Sequence, residues 1–130
     1  MTNPGEEPLF GSADPFMQQL PNSSQTGRIR ELNDSFRHTF VGGAVMITPG
    51  IEGLPSQLRA EVLRRVRTHD QFDAGNDPHH EHDFGSFDIA EHKIFWKIDY
   101  FDRAVQFGSE DPADPVKTTR ILTVMLASEY

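Results

Sequence analysis

Three features of the sequence predict an α+β fold. Apolar residues recur at helical spacing in two stretches, 26–40 and 55–69, and a block rich in β-branched and aromatic residues runs from about 82 to 108 with turn signals inside it. Asp114-Pro115 then offers the capping residue and first-turn proline of another helix. The expected order is α-β-α-β-β-β-α, with a small antiparallel sheet (one strand plus a three-stranded meander) packed with three helices.

The leader, residues 1–25, contains four prolines and two glycines and has no hydrophobic period. It reads as a flexible tail before a single domain over 26–130. "TGRIRELNDSFRHTF" opens that domain, with Thr26 as cap and Ile29, Leu32, Phe36 and Phe40 at three- and four-residue steps. Asn33 falls inside this apolar stripe. A buried Asn must find hydrogen-bond partners, so it is expected to tie the helix to a nearby loop. Gly42-Gly43 ends the element, and "AVMIT", 44–48, is a short β-rich run.

The second helix, "PSQLRAEVLRRVRTH", has Pro55 near its first turn and Leu58, Val62, Leu63 and Val66 on one face. Arg59 lies about 100° from Leu58, in the middle of that face. Its head must reach solvent or a carboxylate. The meander reads as "HDFGSFDI", "HKIFWKIDYF" and "AVQFG", with turns at Ala90-Glu91 and Asp102-Arg103. In the closing stretch, Val116, Ile121, Leu122, Val124, Met125 and Leu126 cover most of a helical circumference, which predicts a buried last helix.

The composition bounds what this domain can do. With 130 residues, 36% of them hydrophobic, the chain can build one modest core. The absence of cysteine excludes a disulfide framework, thiolate metal sites and a cysteine nucleophile, and it fits a reducing cytoplasm. No basic region precedes an apolar run at the N-terminus, so no secretory leader is expected. No segment approaches about eighteen consecutive apolar residues, so no membrane span is expected either. The net charge of −8 divides into −3 over 1–25, +2 over 26–70 and −7 over 71–130. An acidic C-terminal half repels a phosphate backbone and disfavours nucleic-acid binding. It serves solubility, or it forms a face that docks on a basic partner protein by imitating nucleic acid.

"DPHHEHDFG", 77–85, concentrates three of the six histidines among Asp77, Glu81 and Asp83. It suits a metal cradle, a catalytic His–carboxylate pair or a polar loop capping a strand. If Ala90-Glu91 is a two-residue hairpin turn, opposed residues follow by counting back from it: Asp88 with Lys93, Ser86 with Phe95, Phe84 with Lys97, and His82 with Asp99. The other face carries Phe87 with Ile94, Gly85 with Trp96 and Asp83 with Ile98, and being more apolar it is expected to receive the helices. This register gathers His82, Asp99 and Lys97, where a carboxylate could orient an imidazole for catalysis or merely make a cross-strand hydrogen bond. His80 and His82, two apart on a strand, could chelate a divalent metal such as zinc with a carboxylate as third ligand. Glu91-His92-Lys93 matches half of a nuclease motif but falls on the turn.

"RIRELNDSFRHTF", "NDP…EHDFGSF", "IFWKIDYFD" and "GSEDPADP…TRILTVMLASEY" resemble the bacterial family catalogued as domain of unknown function 3768, over roughly residues 27–130. Members are short proteins often encoded on plasmids or other mobile elements. The resemblance implies an accessory role, such as countering a host defence or modulating a host protein. It marks Arg28, Asn33, Asp34, Asn76, Asp77, Glu81, His82, Asp83, Lys97, Asp99, Gly108, Glu110 and Asp111. Tyr-Gly is common in the family where this chain has His79-His80, which weakens the metal pair as a shared property. Asp-Gly is common where it has Ala90-Glu91, which supports the hairpin turn.

Two functional readings follow. The first is a small acidic cytoplasmic binding or regulatory protein that occupies a partner protein and needs no cofactor, with Glu81, Asp83, Glu110, Asp111 and Arg59 as binding residues. The second is a hydrolase or nuclease-like enzyme, with or without a metal, built on His82, Asp99 and Lys97. A pocket in which these side chains converge favours the enzyme, and a flat acidic surface favours the binder.

Overall fold

The computed structural model describes residues 23–130. Helix α1 (Ser23–Thr39) leads into β1 (Gly43–Ile47), the single turn α2 (Pro49–Glu52) and helix α3 (Ser56–Thr68). Strands β2 (Phe84–Ile89), β3 (His92–Phe101) and β4 (Thr119–Leu126) follow, with a 3-10 turn at Ala127–Glu129. The strands lie in the order β1-β4-β3-β2. β2, β3 and β4 pair antiparallel as a meander, whereas β1 runs parallel to β4. The fold is therefore α+β as expected, with a mixed sheet rather than a wholly antiparallel one. Two helices separate β1 from the meander, and a connection of that length lets β4 return alongside β1 in the same direction. The expected tail lies mostly outside the described residues. Ser23, Ser24 and Gln25 already belong to α1, so Thr26 is inside the helix rather than its cap.

The β2–β3 register is the expected one, with Phe84 opposite Lys97, Ser86 opposite Phe95 and Asp88 opposite Lys93. Ala90 (φ 48°) and Glu91 (φ 69°) form the turn, both left-handed, as a two-residue hairpin compatible with strand twist requires.

Two elements differ from the sequence reading. "AVQFG" is not a strand: residues 102–118 form a long loop, tied to β3 by one bridge between Phe101 and Gly108. The closing segment is not a helix but β4, the third strand of the meander. Asp114 does cap, accepting the Val116 amide at 2.9 Å, yet it closes only a local turn. From Thr119 onward, side chains alternate across the sheet, with Arg120, Leu122 and Val124 buried on one face. Thr119–Leu126 carries apolar residues on its buried face and also on its partly exposed one, and such a run covers a helical wheel as readily as a buried helix does.

The core lies on one face of the sheet. Ile94, Trp96, Ile98, Leu122 and Val124 meet Phe36 of α1, Ile51 of α2, and Val62 and Val66 of α3. Gly85 has no room for a side chain, because a Cβ there would sit 2.6 Å from Cε2 of the Trp96 indole. Among the described residues, no helix covers the opposite face of the sheet, and none is long and apolar enough to cross a membrane.

Left-handed backbone at a residue with a side chain costs about 1 kcal/mol. Glu91→Gly should therefore raise the unfolding free energy by about 1 kcal/mol in urea titration. An unchanged midpoint would show that the turn holds no strain.

Candidate functional site

Helix α1 turns three polar side chains toward the sheet end that carries the histidine-rich loop. Arg37, 1% exposed, donates from Nη1 to the carbonyls of Val66 (3.0 Å) and His69 (2.8 Å), closing the C-terminal end of α3. Its Nη2 donates to Asp34 Oδ1 at 3.1 Å. The guanidinium also lies over the Trp96 ring, 5.0 Å from the centroid. Burial pulls Arg37 below its ordinary pKa, and the Asp34 carboxylate pushes it back. Its Nε and the Trp96 indole nitrogen are both buried without an acceptor.

The same Asp34 carboxylate receives His82, whose Nδ1 lies 2.9 Å from Oδ1 and 3.1 Å from Oδ2. His82 Nε2 is 3.6 Å from Asp77 Oδ2, and its backbone N–H donates to Asp77 Oδ1 at 3.0 Å. The imidazole stacks on Phe72 with centroids 3.8 Å apart. His69 packs edge-on to Trp96 and Phe72, and its Nε2 lies 3.1 Å from the Gln71 carbonyl. Burial, first of all, lowers the His69 pKa, with the Arg37 charge adding to it.

The proposed His82–Asp99 pair does not form. His82 has φ 55° and His80 φ 59°, so neither continues the strand alternation on which the pair and the His80–His82 chelate both depended. His82 swings to the helix face. Asp99 stays on the opposite face, where Lys97 Nζ lies 2.8 Å from its Oδ2. His80 is exposed, and its carbonyl accepts from Arg30 at 2.9 Å. Among the described residues, no three His, Asp or Glu side chains are grouped to hold a metal ion. The loop before His82 is held by its own acidic and amide side chains. Asp73 Oδ1 accepts the amides of Gly75 (2.8 Å) and Asn76 (3.0 Å).

Asn33 is fully buried and ties the helix to the loop as expected. Its Nδ2 donates to the Glu81 carbonyl at 2.9 Å and to the Tyr100 hydroxyl at 2.8 Å. Tyr100 in turn donates to Glu81 Oε1 at 2.9 Å. Arg120 Nε donates to Asn33 Oδ1 at 2.7 Å, and Arg120 Nη2 donates to the Pro112 carbonyl at 2.6 Å. Burial pushes the Tyr100 hydroxyl well above the ordinary phenol range, so it stays a donor. Glu81 is thus a structural acceptor here. Glu110 is exposed, and Asp111 accepts Gln25 Nε2 at 3.2 Å. Among the described residues Arg59 meets no carboxylate; its Nη1 donates to the carbonyls of Glu52 (2.9 Å) and Leu54 (3.3 Å).

The helix-free face is built differently. Phe84, Phe95 and Tyr130 form an aromatic cluster with centroids 5.2 to 6.2 Å apart. Glu129 anchors the segment before Tyr130 by accepting from the Thr48 hydroxyl (2.6 Å) and the amides of Gly50 (2.8 Å) and Leu126 (2.9 Å). Beside the cluster, a cleft of about 390 Å³ is lined by Pro78, His79, Asp83, Lys97, Asp99 and others. Asp83 has no cation paired to it among the described residues. Burial raises its pKa, and the charges of Glu81 and Asp77 add to the effect.

Sequence reasoning thus named His82, Lys97, Asp99, Asp83 and Glu81, and the structure divides them between two faces. It missed Arg37, Tyr100 and Arg120. Arg37 follows Asn33 by one helical turn and so shares its stripe. Tyr100 continues the inward alternation of Ile94, Trp96 and Ile98. Arg120 was hidden by the helical reading of β4.

Residues 47–129 match the family model described as "Protein of unknown function (DUF3768)". The chain belongs to that family. The DUF3768 match begins at the end of β1, so α1, with Asn33, Asp34 and Arg37, lies outside it while supplying half of the polar network. No curated protein and no solved structure matches the chain.

Arg37 and Arg59 should separate cleanly in chemical denaturation. Arg37→Met strands two carbonyls and Asp34, and should cost about 2–4 kcal/mol. Arg59→Met should cost less than about 1 kcal/mol, since its Glu52 carbonyl contact is exposed and its Leu54 contact only partly buried, so water can replace them. Equal costs would contradict the burial difference.

His69 gives a pH signature. Its folded pKa lies below the unfolded value of about 6.5, so below that pH the unfolded state binds more protons. The melting temperature should fall as pH drops through about 6.5, and His69→Gln, which cannot charge, should flatten that slope. A slope unchanged in the variant would assign the effect to other groups.

Proposed function

We propose that this protein is a small acidic binding module that acts in the cytoplasm and docks on a basic partner protein through the helix-free face of its sheet. One observation carries the reading: that face holds an apolar surface with no second layer among the described residues. Across the strands, Met46 stands beside Thr123, Lys97 and Phe84, while Ala44 stands beside Ile121 and Asp99. Met46 is 55% exposed and Tyr130 is 76% exposed. A sheet face that mixes apolar side chains with a few charges is the composition of an interface centre and its rim. The charge of −8, most of it beyond residue 70, favours encounter with a basic partner.

The mobile-element setting that the resemblance implies suits an accessory role of this kind, with a host protein as the partner. A hydrolytic centre of His82, Lys97 and Asp99 has less support, because the imidazole and the Lys97–Asp99 pair occupy opposite faces. The chain, immobilised and exposed to a bacterial lysate, should retain a basic protein. Met46→Asp with Tyr130→Asp should reduce that retention by about tenfold, the effect of burying charge in an apolar contact. Undiminished retention by a folded double variant would overturn the reading.

A further inference from the structure

Most charged groups near the histidine-rich loop already have partners. Asp34 holds Arg37 and His82, Glu81 holds Tyr100, and Asp99 holds Lys97. Asp83 differs. It lines the cleft beside Phe84 and Tyr130, is partly buried, and has Glu81 and Asp77 as like-charged neighbours, with the His79 imidazole of the same lining opposing their effect. Its backbone is fixed at the mouth of the hairpin, where its carbonyl accepts the Ile98 amide at 2.8 Å. A carboxylate kept among like charges without a cation destabilises the fold that holds it, and such positions are expected where a ligand supplies the missing charge.

We propose that this cleft is a socket for an arginine side chain of the partner, with Asp83 as counter-ion and Phe84 and Tyr130 as aromatic walls. The inference rests on the docking reading above and narrows it to one contact. The chemistry selects arginine by two features together. A guanidinium stacks flat on an aromatic ring while its N–H groups remain free for carboxylates, which a compact ammonium does less well. The cleft offers both surfaces, since Tyr130 is 76% exposed and Asp99 stands beside Asp83 in the lining. Its volume of about 390 Å³ accommodates one long side chain and not a folded segment. With Lys97 paired to Asp99, Asp83 is the carboxylate of the lining that has no Lys or Arg paired to it among the described residues, and so it is the one left to meet a guanidinium.

The test is a titration of the ¹⁵N-labelled full chain, followed by amide shifts, with the capped tripeptide Ala-Arg-Ala and its citrulline analogue. Citrulline keeps the planar shape and removes the charge. The arginine peptide should move the amides of Asp83, Phe84 and Lys97 to Asp99, with half-saturation about tenfold tighter than for the citrulline peptide. Asp83→Asn should abolish that difference and, having lost a repelled charge, should melt no lower than the wild type. Equal response to the two peptides, an unchanged preference in Asp83→Asn, or shifts confined to other regions would overturn the socket. The two readings fail separately. If the Met46 and Tyr130 variant loses its partner while neither peptide moves the cleft amides, docking stands and the socket falls. If the peptides behave as expected but partner capture ignores that variant, the socket stands and the wider docking face falls.

Discussion

The buried guanidinium of Arg37 sits where α1, the end of α3 and the loop from His69 to Asp83 come together, and the arrangement of all three depends on it. A charge 1% exposed is costly to remove from water, and well-placed acceptors must offset that cost. Two carbonyls from the end of α3 and the carboxylate of Asp34 do so for the terminal nitrogens, while Nε is left without an acceptor. Because Asp34 is shared, the position of Arg37 is transmitted to His82 through a second contact of 2.9 Å. The imidazole then fixes the loop through Asp77 and Phe72. The histidine that drew notice in the sequence is therefore a link in a chain that begins on a helix 45 residues earlier, at Arg37.

A parallel chain runs a turn away. Asn33 accepts from Arg120 and donates to Tyr100 and to the Glu81 carbonyl, so β3, β4 and the loop are all held to α1. These bonds join residues distant in sequence, and each is made by a side chain whose alternatives are buried. Packing alone would permit α1 to slide along the sheet; a polar network with fixed geometry does not. The loop's family-marked residues Asp77, Glu81 and His82 are explained by this fixing, without invoking reaction chemistry.

What the sequence revealed, and what it hid, follows from how local each signal is. The β2–β3 register was legible because a two-residue turn fixes every later pair. The burial of Asn33 was legible because helical periodicity extends over many residues. Both signals are local to one element. The His82–Asp99 pair failed because it extended that register two residues past the point where the strand begins, and a single left-handed residue at 82 sends the side chain to the other face. The last strand was read as a helix because its parallel partner β1 pairs with it from 77 residues away, beyond the reach of any local pattern. No property of residues 119–126 taken alone distinguishes these cases, although the β-branched Thr119, Ile121, Thr123 and Val124 favour a strand.

The division of labour between the two faces is the final consequence. On the helix face, polar groups are consumed by one another, so substitution there changes stability before it changes anything else. On the open face, Lys97 and Asp99 are partly exposed, and the aromatic cluster has no helix over it among the described residues. Asp83 lies at the junction of these regimes, its backbone bonded into the sheet and its charge opposed by the carboxylates that build the loop. On the docking reading proposed above, a cationic partner would offset the like charges around Asp83, while the partly exposed His82 serves to hold the loop.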